Sequence, residues 1–138
     1  MTTADATPQV RTIDDVLLLA RQRLQRLSPF DAYDEADRGA LIVDIRPQHN
    51  QAFEGYIPGA LLVERNVLEW RFDPSSPARL PCARYDLRVI LVCNEGFTSS
   101  LAAAALQDLG VSAATDIVGG FRAWRHEGLP VSLTSTGG

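Results

Sequence analysis

The sequence predicts a single α/β domain in which a central parallel sheet has helices on both faces, with an extra helix at the N-terminal end. Apolar runs at residues 40–46 and 89–92 have the length and β-branched content of strands that are buried on both faces of a sheet. Segments with helical spacing alternate with these strands, which is typical of a parallel sheet with helical connections. The 138 residues are enough for one such domain with a substantial core.

The composition narrows the classes of function. Hydrophobic residues make up 46% of the chain and charged residues 22%, as in ordinary globular proteins. The net charge of −4 predicts no nucleic-acid partner. The two cysteines are too few for a disulfide framework, and neither a secretory signal nor an apolar run of membrane-spanning length is found. We therefore expect a cytoplasmic protein with reduced thiols and no membrane partner.

The first part of the chain is predicted to be helical. Residues 1–11 are small and polar and are expected to be flexible. Thr12 is a favourable N-cap, and Ser28 followed by proline begins a second helix that ends near Gly39. Residues 12–39 are thus predicted to form a helical segment packed on the outside of the domain. The apolar residues expected to make this contact lie near one stripe: Ile13, Val16, Leu17, Leu24 and Leu27.

Residues 40–131 are predicted to form the main domain, and residues 132–138 a flexible tail. The strands of this domain are expected at residues 40–46, 61–63, 89–92 and 115–118. The predicted helices are a short one at 51–53, one or two turns within 66–72, a longer one from 99 to about 110, and one at 121–126.

Cys93 is the residue around which the sequence is organised. It follows the apolar run 89–92 and precedes a helix that begins at Ser99 and Ser100, with serine as the expected cap. Successive backbone N–H groups at such a junction form an anion site and stabilise a thiolate, which is the nucleophilic form of cysteine. The alternative is a buried cysteine with only a structural role, because free cysteine is among the most buried residue types.

Four motifs in order resemble those of the rhodanese family of sulfurtransferases. They are Asp44-Ile45-Arg46, then Gly55-Tyr56-Ile57-Pro58-Gly59-Ala60, then Cys93-Asn94-Glu95-Gly96-Phe97-Thr98-Ser99, and finally Val118-Gly119-Gly120-Phe121-Arg122-Ala123-Trp124 with Gly128-Leu129-Pro130-Val131. The resemblance covers about residues 40–131. Two positions depart from the family pattern: Tyr56 stands where the family has histidine, and Thr98 stands where the active loop often ends in arginine.

The resemblance implies a single rhodanese-like domain and a sulfurtransferase whose catalytic residue is Cys93. In this chemistry the cysteine takes a sulfane sulfur from a thiosulfate- or persulfide-type donor, becomes a persulfide, and passes the sulfur to cyanide or to a thiol, including a protein thiol. No metal or organic cofactor is required. The implied substrate-binding residues follow the cysteine: Asn94, Glu95, Gly96, Phe97, Thr98 and Ser99. Their amides are candidate donors to the outer sulfur, and so are the Thr98 and Ser99 hydroxyls unless these only cap the helix.

Two other functions are alternatives. Cysteine-dependent phosphatases, including a rhodanese-like group, have a cysteine, then five other residues, then an arginine. Counted from Cys93, the position of that arginine is Ser99 here. The guanidinium that a tetrahedral dianion requires is therefore missing, which argues against phosphatase or arsenate reductase activity. A rhodanese-like binding or regulatory module without turnover is the second alternative, and the presence of Cys93 argues against it.

Charged residues near the predicted site bear on the sulfur donor. Glu95 disfavours a dianion such as thiosulfate and favours a persulfide or polysulfide, unless Arg65 or Arg71 offsets its charge. The alternative for both arginines is a solvated surface. For Asp44 and Arg46, at the end of a neighbouring strand, a structural ion pair is favoured over a direct role in the site.

The remaining cysteine and the histidines are expected to be inert. Cys82 precedes the central strand, so it should lie at the opposite end from Cys93 and is not expected to form a disulfide with it. His49 and His126 are isolated in the sequence and have no spacing typical of zinc ligands.

Overall fold

The computed structural model describes residues 10–135. Most of the flexible ends predicted at residues 1–11 and 132–138 therefore lies outside the described residues. The helices are α1 (Ile13–Gln22), α2 (Pro29–Asp37), α3 (Gln48–Glu54), α4 (Leu68–Phe72), α5 (Thr98–Asp108) and α6 (Gly120–His126). The strands are β1 (Leu41–Asp44), β2 (Leu61–Leu62), β3 (Val89–Val92) and β4 (Thr115–Asp116). A short 3₁₀ helix, Arg65–Val67, precedes α4.

The four strands form one parallel sheet in the order β2-β1-β3-β4. Leu41 of β1 is in register with Val89 of β3. The predicted α/β fold with a central parallel sheet is therefore confirmed, although β1 and β4 end earlier than predicted, at Asp44 and Asp116. Because all the strands run in one direction, the segments that follow them meet at one edge of the sheet.

Helices cover both faces of the sheet. Val43 and Leu91 pack on one face with buried residues of α4 and α5, and Ile42 and Ile90 pack on the other with buried residues of α2 and α6. Successive side chains of a strand point to opposite faces, so a strand covered on both sides must be apolar at every position. All residues of β3 are accordingly 0% exposed.

The N-terminal segment has the predicted caps but a narrower buried face. The hydroxyls of Thr12 and Ser28 each accept a backbone hydrogen bond from the first turn of the helix that follows. Leu17 is buried, but Ile13 and Val16, which the stripe predicted to be covered, are 66% and 41% exposed. The reason is that the main neighbour of α1 is α5, so only a narrow strip of α1 is covered.

Two segments outside the predicted strands also pair through their backbones. The N–H of Leu27 donates to the carbonyl of Asp116 at 3.0 Å, and its carbonyl accepts from the N–H of Val118 at 2.8 Å. The N-terminal segment thus covers the outer edge of β4, an arrangement the sequence did not predict. Ser132, at the start of the predicted tail, forms an antiparallel bridge with Tyr56, with backbone hydrogen bonds of 2.7 and 2.8 Å.

Candidate active site

Cys93 lies at the carboxyl end of β3, directly after Val92, and its side chain is buried. Its Sγ accepts backbone hydrogen bonds from the N–H of Gly96 at 3.2 Å and from the N–H of Ser99 at 3.3 Å. Residues 94–99, named the active-site loop below, therefore bend around the sulfur. Amide donors in this position stabilise a negative charge on the sulfur atom.

A cavity of about 210 Å³ opens beside this sulfur. It is lined by Ile45, Arg46, Pro47, Cys93, Asn94, Glu95, Phe97 and Thr98. Within residues 10–135 the backbone N–H groups of Phe97 and Thr98 donate to no protein atom, as is usual for amides at the start of a helix. The cavity therefore has both a nucleophile and unused backbone donors.

The loop conformation requires glycine at position 96. Gly96 has a φ of +86°, a left-handed value that favours glycine. A Cβ at this position would lie 2.8 Å from the N atom of Gly119 and 3.1 Å from the carbonyl oxygen of Ile117. The turn after β4 is thus in direct contact with the active-site loop.

Gly120 is a site residue that the sequence showed only as a member of the fourth motif. A Cβ on it would lie 2.5 Å from the carbonyl oxygen of Cys93 and 2.7 Å from the N atom of Gly96. Next to it, the N–H groups of Phe121 and Arg122 donate to the carbonyls of Cys93 and Asn94, at 2.8 and 3.1 Å. The available signal was the pair of glycines that directly follows the predicted strand 115–118, because the ends of parallel strands meet at the sheet edge where Cys93 lies.

The serines after Cys93 have a different role from the predicted cap. The helix α5 begins at Thr98, and Phe97 is its N-cap with no side-chain hydrogen bond. The hydroxyls of Ser99 and Ser100 both donate to Oδ2 of Asp116 at 2.7 Å. Asp116 is fully buried, and a buried carboxylate needs donors, which explains why these hydroxyls are used there. Ser99 faces the sulfur with its N–H and the carboxylate with its hydroxyl.

Two arginines of the N-terminal segment contact the active-site loop and were not predicted as site residues. The Nη2 atoms of Arg21 and Arg26 donate to the carbonyl oxygen of Gly96, at 2.8 and 2.9 Å. Arg26 also forms an ion pair with Asp116, at 2.8 Å between Nε and Oδ1. The sequence showed them only as basic residues near the end of a helix, where they favour the helix dipole, and it contained no signal for this contact.

The charge of Glu95 is offset by a different arginine from those predicted. Nη1 of Arg122 lies 3.1 Å from Oε2 of Glu95, and both side chains are about half exposed. Arg122 also pairs with Glu54 at 3.3 Å. Hydrogen bonding to Glu54, followed by that to Glu95, raises the pKa of Arg122, and the same bond from Arg122 lowers the pKa of Glu54.

The arginines named in the prediction have other partners. Arg65 pairs with Glu69 at 2.8 Å, and Arg71 donates to the carbonyl of Ala78. The possibility that these two arginines offset the charge of Glu95 is therefore not realised, because their guanidinium groups pair elsewhere. Their partners lie within seven residues along the chain, so local pairing uses both groups.

Asp44 and Arg46 form the predicted structural ion pair. Their side chains are fully buried with a distance of 2.7 Å between Nη2 and Oδ2, and the guanidinium lies 3.8 Å from the ring centre of Phe121. In the described part of the chain, Nη1 of Arg46 and Oδ1 of Asn94 are the buried side-chain polar atoms without a hydrogen-bond partner. Both residues line the cavity, although these two atoms are themselves buried and have no exposed surface within it.

The other reactive side chains lie apart from this arrangement. Cys82 is half-buried in the irregular segment before β3, whereas Cys93 follows β3, and both cysteines are free. His49 and His126 are exposed. No group of side chains within residues 10–135 has the composition of a metal site. In the same range, none of the helices has the length and apolar content needed to cross a membrane.

Sequence comparison relates the chain to enzymes of known activity. The rhodanese-like domain family matches residues 28–127. The chain is 34% identical over 102 residues to the thiosulfate sulfurtransferase GlpE of Stutzerimonas stutzeri, which covers 74% of this chain and 85% of that protein. The GlpE of Pseudomonas fluorescens is also 34% identical over 102 residues, covering 73% of this chain and 84% of the relative.

Solved structures share the fold. A protein of unknown function from Rhodopseudomonas palustris, described as a possible tyrosine phosphatase, is 34% identical with a TM-score of 0.82, and the match covers 91% of this chain and 99% of that one. A rhodanese-related protein from Thermoplasma volcanium is 24% identical with a TM-score of 0.63, covering 79% and 98%. The second of these, at its lower identity, supports the fold alone.

Proposed function

The chain belongs to the rhodanese-like domain family and is a rhodanese-type sulfurtransferase, and from this premise we propose that Cys93 carries the transferred sulfur as a persulfide. The observation that carries the proposal is the position of the Cys93 sulfur. It accepts two backbone amides and borders a cavity with further unused donors.

The proposed reaction has two displacements at sulfur. The Cys93 thiolate attacks the outer sulfur of the donor, the donor S–S bond breaks, and its electron pair leaves with sulfite when the donor is thiosulfate. The acceptor, cyanide or a thiolate, then attacks the outer sulfur of the persulfide and releases the Cys93 thiolate. Written from the thiolate, neither step transfers a proton to or from Cys93, so neither displacement needs a neighbouring general base.

The active-site loop supports the persulfide stage of this cycle. The outer sulfur extends beyond Sγ into the cavity, where the free amides of Phe97 and Thr98 are candidate donors to its negative charge. The roles proposed for Asn94 and Gly96 are those of loop backbone, and Gly96 already donates to Sγ. The hydroxyl of Ser99 is left out of the proposed contacts, because it donates to Asp116.

The charges around the cavity are largely paired, so they do not by themselves exclude an anionic sulfur donor. Arg122 offsets Glu95, and Asp44 balances the charge of Arg46. We therefore include thiosulfate, on which the named relatives act, together with persulfides among the proposed donors. The acceptor is a thiol or cyanide. Because the cycle needs a reduced thiol, we place the protein in the cytoplasm.

Intact-mass spectrometry after incubation with sulfur donors tests the proposal. The wild-type protein should gain one sulfur atom, and the gain should disappear on incubation with cyanide. Cys93→Ser should abolish loading and transfer, while the matched control Cys82→Ser should keep both. Loading of the Cys93→Ser protein at the wild-type level would contradict the assignment of the sulfur carrier.

The alternatives give different results in the same samples. A binding or regulatory module would neither load sulfur nor turn over thiosulfate. A phosphatase would hydrolyse p-nitrophenyl phosphate in a Cys93-dependent way, which we do not expect, because Ser99 stands in place of the phosphate-binding arginine and is held by Asp116.

A further inference from the structure

We propose that Arg21 and Arg26 are positioning residues that hold the active-site loop in the conformation in which its amides face the Cys93 sulfur. The inference rests on the proposed function, because its consequence is the stability of the thiolate and of the persulfide. Both arginines precede residue 28, where the match to the rhodanese-like family begins. The N-terminal segment would then be part of the catalytic apparatus of this chain.

The first argument comes from the geometry of one peptide group. Arg21 and Arg26 both donate to the Gly96 carbonyl, so this oxygen is held on the side of the N-terminal segment. In a trans peptide the following N–H points the opposite way, and none of the described peptide bonds is cis. The two arginines therefore fix the direction of the Phe97 N–H, and two cationic donors on the carbonyl strengthen that N–H as a donor.

The second argument is that Arg26 is linked to Ser99, whose N–H also donates to the sulfur, through a buried network of hydrogen bonds. It donates to Asp116 from Nε at 2.8 Å and from Nη2 at 3.1 Å. Asp116 accepts the hydroxyls of Ser99 and Ser100, and the N–H of Ser99 donates to the sulfur. Arg26 is thus linked to both residues whose amides contact Sγ, Gly96 directly and Ser99 through Asp116.

Arg21 secures the outer side of the same loop. Its Nε donates to the Ser100 hydroxyl at 3.2 Å, and its guanidinium lies 5.5 Å from the ring centre of Phe97. Phe97 is 57% exposed, and this cation–π contact and the Gly96 bond restrain the loop on the side of the N-terminal segment. Each arginine uses several N–H groups of one planar guanidinium, which a lysine ammonium cannot reproduce.

Substitution of the arginines by lysine separates positioning from charge. We would prepare Arg21→Lys, Arg26→Lys and Arg26→Gln in the full chain, in the Cys82→Ser background. Arg23→Gln is the matched control, because Arg23 caps the same helix but pairs with Asp108 on the exposed surface. Three quantities are measured: hydrogen exchange of the peptide covering residues 94–100, the rate of iodoacetamide alkylation of Cys93 against pH, and the thermal midpoint.

Both lysine variants should show loop exchange about tenfold faster than the parent and Cys93 alkylation about three- to tenfold slower at neutral pH. Arg23→Gln should match the parent in both. The positioning role is overturned if the lysine variants match the parent in loop exchange and alkylation, because a positive charge alone would then be enough. It is also overturned if these two rates in all variants simply follow the loss in thermal midpoint, because the effect would then be one of global stability. Failure of the parent protein to load sulfur would overturn the proposed function, while loop exchange would still decide the role of the arginines.

Discussion

At the residue scale, the missing side chain of Gly120 allows α6 to begin directly against the active-site loop. Gly120→Ala would place a Cβ 2.5 Å from the Cys93 carbonyl oxygen, at a φ of +64°. We expect a loss of about 1–3 kcal/mol in the free energy of unfolding from strain and displaced backbone. Sulfur loading should also slow, because the displaced atoms belong to the loop that contacts Sγ. Denaturant unfolding and intact-mass kinetics measure the two effects.

Gly128 provides the matched control for this prediction. It has a similar φ of +79°, but a Cβ there has no atom within 4 Å. Gly128→Ala should therefore show only the backbone term of about 1 kcal/mol and wild-type loading. Equal effects of the two substitutions on loading would mean that the contact between Gly120 and the loop is unimportant for the site.

The pair between Glu95 and Arg122 makes a second prediction at this scale. Glu95→Gln should raise kcat/KM for thiosulfate more than for a monoanionic persulfide, by about two- to fivefold, because both side chains are solvated. Arg122→Gln should have the opposite effect, since it exposes the carboxylate. Both changes should diminish at high salt, where the screening length falls to about 3 Å at 1 M. Equal changes in kcat/KM for the two donors would contradict the prediction, because they would mean that the Glu95 charge does not act on the bound donor.

At the scale of elements, an ion pair links α2 to the segment that enters β3. Glu35 accepts from Nε and Nη2 of Arg88 at 2.8 and 3.1 Å. The hydrogen bond from Arg88 holds the pKa of Glu35 below its ordinary value of 4.5. Arg88 in turn donates to the carbonyl of Ala113, so it also connects these elements to the segment before β4.

This pair predicts a defined pH dependence of stability. Because the folded pKa of Glu35 is lowered, its contribution is complete above about pH 4.5 and is lost as the pH falls through the folded value. Glu35→Gln should cost about 1 kcal/mol or less at pH 7, since the pair is partly exposed, and progressively less as the pH falls below 4.5. Urea unfolding across this pH range measures the difference. Glu127→Gln is the control and should show no such trend; a pH-independent cost at Glu35 would assign the effect to packing.

At the scale of the whole molecule, the two cores share β3, and the N-terminal segment is joined to the sheet through Leu27 and to the loop through Arg21 and Arg26. We therefore expect one cooperative unfolding transition. In a Trp70→Phe variant, fluorescence reports the buried Trp124, and far-UV circular dichroism reports all helices. The two denaturant midpoints should coincide under reducing conditions. An earlier transition in the dichroism would show that the N-terminal segment unfolds separately.

Much of the fold could be predicted from local patterns. Two helix starts and one strand are visible in short stretches of the sequence. The N-caps are Thr12 and Ser28, and the strand is the apolar run of β3. The position of Cys93 between a strand and a helix follows from the same local signals. Helical and extended backbones impose their own spacing of apolar and capping residues, so these features are readable without a partner.

The tertiary structure alone decided which side chains complete the site. Arg26 meets Gly96 across 70 residues and Asp116 across 90, and neither separation leaves a periodic signal in the sequence. The Ser99 hydroxyl is another example, because it donates to the buried carboxylate of Asp116 and does not cap the helix as expected. The sequence by itself determined β3, the active-site loop and the position of Cys93 between them and α5. Packing determined which side chains hydrogen-bond to them, because a buried charge or carbonyl pairs with whichever donor the fold brings near it.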